Sequence, residues 1–94
     1  MMADITVSKT ESDGAFEFQV TVKEGRGETR HRVTLSKVDY QRLGGNRTSP
    51  EELVAESFRF LLQREPKESI LRSFDLTVIS RYFPEYERVI RDRL

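Results

Sequence analysis

Phe16-Glu17-Phe18-Gln19-Val20-Thr21-Val22-Lys23 is the stretch that decides the fold. Apolar and polar residues alternate without a break. Successive side chains of a strand point to opposite faces, so the pattern predicts a strand with one dry side and one solvated side. Upstream, Ile5 and Val7 alternate with Thr6 and Ser8 in the same period. Between the two runs lies Ser12-Asp13-Gly14, whose Asp and Gly tolerate the positive φ angles of a hairpin turn. Downstream, the glycine-bearing turn Glu24 to Glu28 leads into Thr29 to Leu35, where His31, Val33 and Leu35 share one face and Arg30, Arg32 and Thr34 the other. The expectation is a three-stranded antiparallel meander with one greasy face, and such a sheet needs a cover.

The rest of the chain reads as that cover. Ser36 is placed to cap a short helix through Leu43, with Val38 and Tyr40 reaching the core and Gly44-Gly45 ending it. Ser49, Pro50 and Glu52 form the strongest start signal: a cap, a proline at the first helical position and an acid three residues on. The helix they open is expected to run to about Arg64, burying Leu53, Val54, Phe58, Leu61 and Leu62, with Phe60 widening the apolar arc. Pro66 disfavours helical backbone at Glu65 and stops it. Lys67 to Ser73 reads as a short helix with Ile70 and Leu71 inward. Asp75 caps another carrying Leu76, Ile79 and Phe83, and Pro84 opens a last one with Tyr86, Val89 and Ile90 on one side. The expected class is therefore α+β: a three-stranded antiparallel meander followed by three or four helices packed on one face of the sheet, residues 1–94 forming one domain.

Composition limits the functions available. Formal charge is zero, but residues 26–47 carry net +4 through Arg26, Arg30, Arg32, Lys37, Arg42 and Arg47 against Glu28 and Asp39. A local basic segment attracts phosphate even in a neutral chain, while neutrality removes long-range steering. With no cysteine there is neither disulfide nor thiolate chemistry, and a reducing compartment is permitted. The stretch Met1 to Ile5 carries Asp4 and no apolar run, and nowhere do apolar residues approach the roughly 18 that a membrane span requires. A cytoplasmic protein without membrane contact is expected.

Catalytic chemistry finds little to use. Most triads, zinc sites and general-base mechanisms lean on histidine or cysteine, and the single histidine, His31, falls on the inward face of its strand. Carboxylate pairs can hydrolyse glycosidic bonds or hold Mg²⁺, yet Glu17, Glu52 and Glu56 lie on expected solvent faces. Gly25, Gly27, Gly44 and Gly45 are turn glycines that fit no phosphate-cradling pattern. No catalytic, cofactor-binding or metal-binding residue is assigned, and no cofactor is expected. Arg81-Tyr82-Phe83-Pro84-Glu85-Tyr86 concentrates the residue types of interface hot spots, so Arg81, Tyr82 and Tyr86 form a candidate partner surface, for another protein or for a second copy.

Two resemblances add to this. His31-Arg32-Val33-Thr34-Leu35-Ser36, the short helix ending near Leu43 and the capped helix Ser49-Pro50-Glu51-Glu52-Leu53-Val54 resemble the strand and two helices of a ribbon-helix-helix DNA-binding domain over residues 29–64. The resemblance implies a dimer whose paired strands read bases in the major groove, with Arg30, Arg32 and Thr34 at the reading positions. The C-terminal half, with Phe60-Leu61-Leu62, Glu65 to Leu71, Phe74-Asp75-Leu76 and Arg81 to Tyr86, is similar to small uncharacterised bacterial proteins. That similarity implies a bacterial origin and no activity. The reading placed first is a small non-enzymatic binding or regulatory module. A dimeric DNA-binding regulator comes second and a small carboxylate-dependent enzyme last.

Overall fold

The computed structural model describes residues 3–94; Met1 and Met2, which open the Met1 to Ile5 stretch, lie outside them. Three long strands come first: β1 (Asp4–Ser12), β2 (Ala15–Glu24) and β3 (Gly27–Ser36). β2 pairs antiparallel with β1, from Asp4 opposite Lys23 to Ser12 opposite Ala15, and with β3, from Ala15 opposite Ser36 to Glu24 opposite Gly27. Both hairpins turn on two residues, and Gly14 and Gly25 supply the positive φ, 72° and 61°. Gly27 is closely approached by another side chain. A Cβ there would lie 2.9 Å from Lys67 Nζ, so a larger residue would have to displace that buried ammonium from its place between Glu24 and Glu68.

The meander is extended by a fourth strand that the sequence reading lacks. β4 (Ser73–Asp75) lies parallel to β3, with Arg32, Val33 and Thr34 opposite Ser73, Phe74 and Asp75, so the sheet is mixed and ordered β1-β2-β3-β4. A parallel return needs a crossover, and α1 (Lys37–Leu43) and α2 (Pro50–Leu62) provide it. Their caps are those expected: Ser36 Oγ accepts from Asp39 N–H at 3.0 Å and Ser49 Oγ from Glu52 N–H at 3.1 Å. Three expected helices are shorter. Residues 67–69 make one 3-10 turn and the chain then runs extended into β4. Asp75 caps a 3-10 turn, Leu76–Val78, that continues into the four-residue α3 (Ile79–Tyr82). The last helix, α4, spans Tyr86–Arg93. Among the described residues no helix is long and apolar enough to cross a membrane.

All helices lie on the dry side of the sheet. Phe18, Val20, Val22, Val33 and Leu35 from the strands meet Leu53, Val54, Phe58, Phe60 and Leu61 from α2, then Leu76, Ile79, Tyr86 and Ile90 from the C-terminal segments, all essentially fully buried. Phe60 earns its place in the widened arc, because it faces away from the sheet and packs edge-on against Phe83 and Tyr86 at 5.9 and 5.3 Å. Val38 departs from expectation: it is 77% exposed, because α1 turns Tyr40 and Leu43 inward and presents its other side to solvent.

Candidate functional site

The first candidate, the basic strand, lies where alternation put it, on the uncovered face of the sheet. Its cations are nonetheless already engaged. Arg32 donates to Glu17 at 2.9 Å across β2 and β3, Arg30 donates to Glu28 at 3.0 Å, and Thr34 donates to Asp75 at 2.7 Å on β4. The Glu17 carboxylate beside Arg32 holds the guanidinium above its ordinary value, so the positive charge is permanent and locally cancelled. Glu17, Glu28 and Asp75 thus interleave with the arginines over the whole patch. The ribbon-helix-helix arrangement also requires β3 to be free for pairing with its counterpart in a second subunit. Here β2 occupies one edge of β3 along its length, and β4 covers Arg32 to Thr34 on the other. Arg30, Arg32 and Thr34 are therefore not a base-reading ribbon of that kind.

The second candidate divides. Tyr86 is wholly buried, its hydroxyl 2.6 Å from Ser57 Oγ, which itself donates to the Leu53 carbonyl at 2.8 Å. Ser57 has spent its only proton on Leu53, so Tyr86 donates to Ser57. Burial pushes its phenol well above the ordinary value. Tyr86 is a core residue and not a partner surface, because α4 begins at Tyr86 and turns its first residue against α2. Arg81 and Tyr82 do stand on the surface, and Tyr82 is 66% exposed.

What lies beside Tyr82 was not foreseen. The end of α2, the extended stretch before β4, and α3 leave a groove of about 320 Å³ between them. Its floor is Leu61, Ile70, Phe74 and Ile79; Leu71, Val78, Tyr82 and Phe83 form the walls, and Glu65 and Ser69 stand on the rim. Leu71, expected inward, is 47% exposed at the mouth. In an extended stretch neighbouring side chains alternate, and once Ile70 is buried Leu71 must face out. Few exposed residues in the described chain are large and apolar, and two of them, Leu71 and Tyr82, flank this one depression.

His31 fixes the wall of the groove to the sheet. Its Nδ1–H donates to the Leu71 carbonyl at 2.7 Å, and because a carbonyl only accepts, Nε2 is left to accept from the Thr29 hydroxyl at 2.9 Å. The ring packs on Phe58 at 5.2 Å, and Phe58 meets Phe74 of the floor at 6.0 Å. Burial, with Arg72 nearby, lowers the pKa of His31 and favours the neutral ring. The inward histidine is a strut, as its place on the strand suggested.

Glu65 differs from Glu17, Glu52 and Glu56, the acids expected on solvent faces. The backbone closing α2 places it at the apolar rim, where its own amide donates to Leu61 O at 2.9 Å, and burial alone raises its carboxyl above the ordinary value. Neighbouring cations are engaged elsewhere. Arg64 donates to Glu85 at 3.3 Å and lies 3.6 Å over the Phe60 ring, while Lys67 pairs with Glu68 at 2.8 Å. Among the described residues no three His, Cys, Asp or Glu side chains gather as a metal site. No protein-family model, curated protein or solved structure matches this chain.

Proposed function

We propose that this chain is a small non-enzymatic binding module and that its groove, between the end of α2, the strap before β4, and α3, is the surface that receives a partner protein. The observation that carries this reading is the coincidence of an open apolar depression of about 320 Å³ with two of the large exposed apolar side chains, Leu71 and Tyr82, at its mouth. Exposed apolar surface gathered around a concavity is the usual mark of an interaction site, and the volume sits at the low end of ligand-accepting pockets. It suits one or two partner side chains better than a large cofactor. Among the side chains lining it only Glu65, Ser69 and Tyr82 carry polar groups, few for specifying a small metabolite by side-chain hydrogen bonding.

Fluorescence titration with Nile red, a neutral apolar dye, tests the reading. Emission is expected to rise with the unaltered protein and to fall to background with Leu71→Asp, both proteins unfolding at the same denaturant concentration. Equal emission from the two proteins, or none from either, overturns it. Light scattering on the same pair identifies a second copy as the partner if a dimer appears that Leu71→Asp dissociates.

A further inference from the structure

We infer that the groove selects a partner segment in which an aromatic or branched aliphatic side chain stands next to a lysine or arginine, with Glu65 as the counter-charge; this rests on the groove being a binding surface. Three observations converge on it. Glu65 stands on the rim of an otherwise apolar concavity, within reach of whatever fills it. Its carboxylate carries the cost of partial burial with no cation to offset it: Arg64 and Lys67 on either side are committed to Glu85 and to Glu68 and Glu24, and no ion pair joins Arg72 or Arg81 to it among the described residues. The other polar side chains lining the groove, Ser69 and Tyr82, are neutral.

The contrast with the remaining charged surface makes this specific. Glu11, Glu17, Glu28, Glu52, Glu56, Glu68, Glu85 and Glu87 each have a basic partner within 4.0 Å. Among the described residues Glu65 is the one glutamate without such a partner, and it stands where an apolar depression opens. A partner cation there gains an interaction in a setting drier than open surface, and it removes an existing penalty instead of competing with an internal salt bridge. A partner acid at the same place meets both repulsion and desolvation, so Glu65 discriminates between ligands as well as attracting one.

The test uses three acetylated and amidated tetrapeptides, Ala-Phe-X-Leu with X as lysine, glutamine or glutamate, titrated into the full chain and followed by amide chemical shifts. The lysine peptide is expected to bind about three- to five-fold more tightly than the glutamine peptide, and the glutamate peptide more weakly than either. In Glu65→Gln, an isosteric change at a half-buried position, the three are expected to bind alike, at the affinity the glutamine peptide has for the unaltered protein. Raising the salt should narrow the lysine preference in the unaltered protein only. If the glutamine peptide binds as tightly as the lysine peptide, or the preference survives Glu65→Gln, the charge selection is wrong while the groove stands. If no peptide shifts any groove residue, the groove reading itself falls.

Discussion

The uncovered face of the sheet and the groove at the helical end are built on opposite principles. On the sheet, polar side chains are used up among themselves: Arg32 with Glu17, Arg30 with Glu28, Thr34 with Asp75. At the groove, apolar side chains and one carboxylate are left without partners. A surface already satisfied has little to gain from a ligand, because new contacts must first replace existing ones. An unsatisfied surface gains on every contact. Local charge density, which draws attention to residues 26–47 in the sequence, is thus a poor guide to where unsatisfied surface lies.

The largest effect is expected at the residue that joins the two regions. Phe58 packs between His31 on the sheet and Phe74 in the groove, so Phe58→Ala should cost about 3–5 kcal/mol and loosen both together, as read by urea unfolding with tyrosine fluorescence. Loss of the groove with an intact sheet would show that the two regions do not share a core.

His31→Ala comes next. It leaves the Leu71 carbonyl without its donor and is expected to cost about 1–3 kcal/mol, with faster hydrogen exchange in the strap before β4 than in β2. The unaltered protein should also lose stability in acid. The folded state depresses the pKa of His31 below the ordinary 6.5, so its contribution is intact above 6.5 and declines as the pH falls through 6.5 and on through the lowered folded-state value. Thr29 accepts in place of donating once the ring is charged, so the penalty comes from burial with Arg72 and Phe58 as neighbours, not from a broken bond. Unfolding midpoints at pH 7.5 and 5.5 check this: the drop specific to this window should vanish in His31→Ala.

Smaller effects separate the faces. Tyr86→Phe removes a buried donor and should cost about 1 kcal/mol without altering groove binding, which distinguishes the core tyrosine from the surface one. Arg32→Ala breaks an exposed ion pair and should change stability by less than about 1 kcal/mol. Neither it nor the unaltered chain is expected to shift random duplex DNA in a gel at low salt, whereas a shift that Arg32→Ala weakens would restore the sheet face as a nucleic-acid surface.

The sheet was legible because a period of two over eight residues, Phe16 to Lys23, leaves little ambiguity, and because Ser36 and Ser49 announce the helices after it. β4 was not, since three residues, Ser73 to Asp75, are too few to display any period and pair only because α1 and α2 deliver them to β3. The groove escaped for the same reason on a larger scale: Leu61, Phe74, Ile79 and Tyr82 come from three separate segments, and no local pattern encodes the gap left between them. One signal was available. Ile70 and Leu71 are adjacent apolar residues that an extended backbone cannot turn to the same side, so the pair itself marks one of the two as exposed wherever the chain is not helical.

Backbone amide spectra of the full chain, recorded while the Ala-Phe-Gln-Leu peptide is added, test the central claim most directly. The expected result is a set of shifts confined to Leu61, Glu65, Leu71, Phe74, Ile79 and Tyr82, with Arg30, Arg32 and Thr34 unmoved. Shifts centred on those three strand residues, or spread evenly over the molecule, would contradict it.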